Sequence, residues 1–186
     1  MNQTFLKRMS AGTAIAFALG LAGSSAALAA PPTGEEPAIP PCASGDLAVA
    51  LDTAKESAQA KGQFRIAVTF TNISDRTCVT EGVPTVDLVG PEDPNGPVYT
   101  LAHGVTEAPA SFLTPDGTAT TTEIVVLTQS PGSVGTSGST AWTPTHAHIT
   151  PKGLEQPMIA EWNSKLPVLR QDGATRPGSF VEGIRS

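Results

Sequence analysis

His146-Ala147-His148 is the sharpest chemical feature of this chain. On a β-strand, residues i and i+2 project from the same face, so both imidazoles can meet one divalent cation. Neutral imidazole suits Zn²⁺ or Cu²⁺. A third ligand must come from elsewhere, and His103, Glu161 and Met158 are of suitable type. The plainer reading is that two histidines on the solvent face of a strand are ordinary surface, in a protein with no cofactor. No Gly-x-Ser-x-Gly motif occurs, and Ser and Thr are so common that none stands out as a nucleophile. Acidic pairs such as Glu92-Asp93 fall in turn-forming sequence, whereas glycoside hydrolysis needs two opposed carboxylates across a cleft. Trp142, Trp162, Tyr99 and Phe112 offer ring surface to a carbohydrate, but two tryptophans in a small β domain more often fill its core. These motifs favour a non-catalytic protein over an enzyme.

A scaffold of short strands has to position these residues. The cleanest signal is the 64–72 stretch, where Phe64, Ile66, Val68 and Phe70 alternate with Arg65, Ala67, Thr69 and Thr71. That period of two predicts a strand buried on one side. A first strand is expected over 46–52, with Leu47, Val49 and Leu51 on one face, and an exposed hairpin loop over 53–61. Further strands are expected over 84–90 and 98–102, paired across the Pro- and Gly-rich 91–97 turn. A short edge segment follows at 110–113. The 118–129 strand has an apolar centre, Ile124-Val125-Val126-Leu127, behind β-branched threonines. Pro131, Gly132, Gly135 and Gly138 mark 130–139 as a mobile loop, and a strand resumes over 142–150, interrupted at Pro144. Segments 158–162, 166–169 and 180–184 supply two or three closing strands. No stretch shows the i, i+3, i+4, i+7 pattern of a good helix, and there is no internal repeat. Eight or nine strands at this spacing predict an all-β, immunoglobulin-like two-sheet sandwich with Greek-key connections.

The N-terminus carries an export signal. Lys7 and Arg8 precede an apolar run over 11–22, and Ala27-Leu28-Ala29 offers a small-x-small cleavage site. Residues 1–29 are therefore expected to be removed. A run of about a dozen residues falls short of the roughly twenty needed to cross a bilayer. Residues 30–41, with five prolines, form a spacer, and residues 42–186 form one domain. No cysteine follows the cleavage site directly, which argues against lipid attachment. The mature chain is expected to be secreted, without a membrane span and monomeric, with an unknown envelope or extracellular partner. The formal net charge is −6, and the leader contains two basic residues but no acid, so the mature chain is more acidic still. Without a basic cluster it has no electrostatic footprint for nucleic acid. In an exported chain, Cys42 and Cys78 most simply form one disulfide, the alternatives being two free thiols or an intermolecular bridge.

A family resemblance rests on the order of features between residues 42 and 84. Cys42 stands just before Leu47-Ala48-Val49. Val68-Thr69-Phe70-Thr71-Asn72 ends an apolar strand in a Thr-Asn turn. Cys78 then leads into the Gly82-Val83-Pro84 corner, with Val86 and Leu88 beyond. This resembles the secreted or lipoprotein-borne actinobacterial module known as domain of unknown function 4232. The likeness extends to about Thr150. The family's leu-x-pro-gly segment before the long strand is replaced here by Leu113-Thr114-Pro115-Asp116-Gly117. The resemblance implies an immunoglobulin-like sandwich, a Cys42–Cys78 disulfide and an envelope or extracellular location, and it implies no activity. Asn72-Ile73-Ser74 also matches the N-glycosylation pattern, although the turn explains those residues more simply.

Overall fold

A computed structural model describes residues 38–129, 135–136 and 142–185. The leader and most of the spacer lie outside these residues, as does the 130–139 loop except for Gly135 and Thr136. The described chain is all-β. Twelve strands run in order: β1 (Leu47–Leu51), β2 (Lys55–Glu56), β3 (Gln63–Asn72), β4 (Cys78–Glu81), β5 (Thr85–Val89), β6 (Val98–Thr100), β7 (Ala102–His103), β8 (Ala110–Leu113), β9 (Ala119–Leu127), β10 (His146–Thr150), β11 (Met158–Glu161) and β12 (Phe180–Val181). The largest sheet has the order β1-β3-β9-β12-β7, with β2 also paired to β3. A second sheet has the order β11-β10-β5-β6, and β4 pairs with β8 in a third.

The alternation in β3 decides which side of the large sheet is buried. Ile66, Val68 and Phe70 are almost inaccessible, and the register sets them opposite Ile124, Thr122 and Thr120 of β9. The two threonines share this inner face because each hydroxyl has a backbone acceptor. Thr120 Oγ1 donates to the Arg185 carbonyl and Thr122 Oγ1 to the Glu182 carbonyl, both at 2.6 Å. The second sheet contributes Val86, Leu88, Tyr99, Ala147, Ile149 and Ala160 to the same core cluster. Trp142 and Trp162 belong to that cluster too. Of the four rings that suggested a carbohydrate face, only Phe112 is exposed, so the three others are core.

Several expected elements take another form. Cys78–Glu81 is a strand where only a lead-in to the corner was expected, and it pairs with β8 residue for residue from Cys78↔Leu113 to Glu81↔Ala110. The expected 98–102 strand divides at buried Leu101: its first part pairs with β5, its second with β12 of the other sheet. Segment 166–169 forms no strand: Val168 bridges to Trp142, and the Leu169 amide donates to the Leu127 carbonyl at the end of β9 at 2.7 Å. Within 142–150, only the part beyond Pro144 is strand. The extra Asp116 is accommodated by left-handed backbone at both Asp116 and Gly117, a conformation Asp tolerates better than most residues.

Candidate functional site

The histidine pair lies where the period of two put it. In β10, Ala147 and Ile149 are buried, so His146 and His148 occupy the outer face. Register across the second sheet builds two rows of side chains on that face. One row runs Val98, Val89, His146, Glu161; the other runs Thr100, Asp87, His148, Ile159. Each histidine thus has a carboxylate as a cross-strand neighbour. Two groups are already engaged: the Thr100 hydroxyl donates to Asp87 Oδ1 at 2.5 Å, and His146 Nδ1 is 2.9 Å from Thr145 Oγ1. Of the third ligands considered, Glu161 shares the face. Met158 pairs with Ile149 and so faces inward, and His103 belongs to the other large sheet. Among the described residues no group of three or more His, Cys, Asp or Glu is placed to hold a metal ion. Ile159 and Val98, which belong to these rows, are both exposed.

Cys42 and Cys78 are bonded, with Cα atoms 4.8 Å apart. The bond fastens an edge that begins before Cys42, because Val79 donates to the Pro40 carbonyl and Cys42 to the Val79 carbonyl. Leu47 and Leu113 close over the sulfurs. Beside them, Asp46 accepts from the Ala43 amide at 2.6 Å and pairs with Arg76. The Ala43 hydrogen bond, foremost, and then Arg76 hold the Asp46 carboxyl below its ordinary range against the opposing push of burial. Asn72 is buried and donates to the carbonyls of Arg76 and Leu113, both at 2.9 Å. Its amide is therefore committed to the turn and closed to a glycan in the folded domain.

Sequence reasoning missed Arg170, whose side chain has no accessible surface. It donates to Asp172 at 2.6 and 3.0 Å and to the carbonyls of Asn95, Gly96 and Val98. Asp93, almost fully buried, lies 3.7 Å away. The guanidinium sits between rings, with centroids 5.4 Å away at Tyr99 and 5.0 Å at Trp142. Trp142 Nε1 donates to the Pro91 carbonyl, and its ring lies so near the Gly90 backbone that a Cβ there would meet it at 2.8 Å. Burial raises the Tyr99 hydroxyl above its ordinary pKa, partly offset by the Gln171 amide that donates to it. The available signal was an arginine ending the apolar 166–169 run, near no acidic residue except Asp172.

Several concavities among the described residues reach the size of a small molecule. One of about 580 Å³ has a mixed lining that includes Glu81, His103, Glu107 and Lys152, with Lys152 paired to Glu81 at 3.1 Å. Another, about 370 Å³, lies beside Phe64 and Leu166.

Taken together, these features define an all-β, disulfide-pinned domain whose buried charges secure turns. A family model described as "Domain of unknown function (DUF4232)" matches residues 42–179, and the chain belongs to that family. No curated protein and no solved structure matches it.

Proposed function

We propose that this protein is a non-catalytic binding or structural module that works outside the cytoplasm, at or beyond an actinobacterial cell envelope. One observation carries the reading. The polar side chains buried most deeply, Arg170, Thr122, Ser179, Asn72 and Thr120, are spent on backbone groups of strands, turns and edges rather than converging on a cavity. Such an arrangement stabilises the shape of surfaces and loops, which is what a recognition module requires. The disulfide fits an oxidising compartment. The test is to express the full chain in an actinobacterial host, fractionate the culture and determine the N-terminus and thiol state. Recovery outside the cytoplasm, beginning at Ala30 with no free thiol, is expected. A cytoplasmic, reduced and uncleaved chain would end the proposal.

The alternative is an exported metal-binding protein, supported by the common outer face of His146 and His148 and the adjacent Glu161. Titration with Zn²⁺ and Cu²⁺ separates the two readings. Stoichiometric binding lost in His146→Ala/His148→Ala favours the metal reading; no binding tighter than millimolar removes it.

A further inference from the structure

Thr145 sets the state of the His146 ring. Its hydroxyl lies 3.2 Å from the Val89 carbonyl and 2.9 Å from His146 Nδ1. A hydroxyl has one proton and a carbonyl can only accept, so that proton goes to Val89 and the hydroxyl oxygen accepts from Nδ1–H. The neutral ring then carries its lone pair on Nε2. A histidine whose other ring nitrogen donates in this way is oriented as a metal ligand. His148 follows two residues later on the same outer face, so both imidazoles can close on one ion.

Two imidazoles are half of a tetrahedral set. The chain has three histidines and two cysteines in all. His103 belongs to the other large sheet, and the cysteines form the disulfide. Among the described residues no acidic group joins the pair to make three. A four-imidazole site therefore needs a second molecule, and a second copy of this face supplies the same pair. The two rows of the face contain Asp87 and Glu161 but no Lys or Arg, in a chain of formal net charge −6. Two such faces repel each other until a cation lies between them. Exposed Ile159, opposite His148 in the ladder, is then covered on both copies.

We infer that Zn²⁺ joins two copies of this protein face to face, each supplying His146 Nε2 and His148. The inference rests on the metal-binding reading and makes the ion a structural link. The two fail separately, because a single chain that holds an ion by itself sinks the link and leaves the metal reading standing.

The experiment is analytical ultracentrifugation of the disulfide-bonded protein, purified without a histidine tag and titrated with zinc chloride. The metal-free chain is expected to sediment as a monomer, and its mass to double on uptake of one Zn²⁺ per pair of chains. Chelation should reverse the change, and Mg²⁺, which takes oxygen ligands, should not cause it. His146→Ala and His148→Ala should each abolish the doubling. Thr145→Val keeps both ligands but removes the acceptor at Nδ1, and should weaken zinc binding about 10- to 100-fold. A monomer carrying one Zn²⁺ per chain would overturn the inference. So would a doubling that persists without the two histidines, or one that Mg²⁺ reproduces. No zinc uptake at all would remove the inference and the metal reading together.

Discussion

Arg170 has no accessible surface, contacts three backbone carbonyls and two carboxylates, and lies between two aromatic rings. Arg65 sits about a third exposed on the outer face of the large sheet, 2.9 Å from Glu123, which Arg185 shares at 3.1 Å. Both are guanidinium–carboxylate clusters, but their surroundings assign them different work. Removing an ion pair from water costs several kcal/mol, and only complete hydrogen bonding makes that tolerable. Arg170 meets this condition in that each of its three nitrogens has an acceptor. The return is geometric, since the carbonyls at 91, 95, 96 and 98 are held by Trp142 and Arg170 together. Arg65 operates in a high dielectric, where attraction is weak and ordering a long side chain offsets much of it.

The sharpest way to break this comparison is Arg170→Ala. Its loss removes the cation beside almost fully buried Asp93 and releases the carbonyls of Asn95, Gly96 and Val98, so a destabilisation of about 3–5 kcal/mol is expected in urea unfolding. A loss below about 1 kcal/mol would show that the buried cluster behaves like a surface pair. Next in size is the covalent clasp. Cys42→Ser/Cys78→Ser opens a closed loop with a sequence separation of 36. The expected loss is about 3–4 kcal/mol on the chain-entropy model. The Arg170 cluster should stay intact in that variant, so an unchanged near-ultraviolet signal from Trp142 before unfolding would show that the two fasteners act independently.

The same contrast explains what could be read in advance. The strand at 64–72, the inward set Ile66, Val68 and Phe70 and the outer placement of His146 and His148 follow from period-two patterning, and the hairpin across 91–97 from its turn residues. Local pattern carries that information. Arg170 was illegible because the carbonyls it holds lie more than seventy residues away in sequence and only Asp172 is near, and an isolated arginine ordinarily signals surface. Strand 78–81 was hidden by its length and by turn-forming neighbours, since a four-residue strand beside a Gly-x-Pro corner shows too few alternations to count. The division of 98–102 between sheets depends on which strands arrive from elsewhere, notably β12 beside β7.

Asp46 lies between the two extremes, buried itself but paired with a partly exposed Arg76. Its folded pKa is lowered, so the stability it contributes is present above the ordinary carboxylate value of about 3.9 and is lost as pH falls through the lower folded value. Asp46→Asn should cost about 1 kcal/mol at neutral pH, in the range of a lost capping interaction. That difference should close as both proteins are acidified below the ordinary carboxylate range. A gap that persists at low pH would assign the effect to packing rather than to charge. At the opposite limb, Tyr99 is raised, so its contribution holds below about pH 10 and fades as pH climbs through the folded value.

The smallest effect belongs to the outer-face cluster and completes the scale. Arg65→Ala removes the 2.9 Å pair with Glu123 and the 4.0 Å contact with Glu182, but Glu123 keeps Arg185. The expected loss is below about 1 kcal/mol. Because the cluster is solvated, this loss should shrink further between low salt and about 1 M, where the Debye length falls to about 3 Å. The Arg170→Ala loss should hardly respond to the same change, since salt does not reach a side chain without accessible surface. The pair of salt titrations therefore tests the distinction itself, independently of either absolute magnitude. Equal salt sensitivity at the two sites would mean that burial does not separate them.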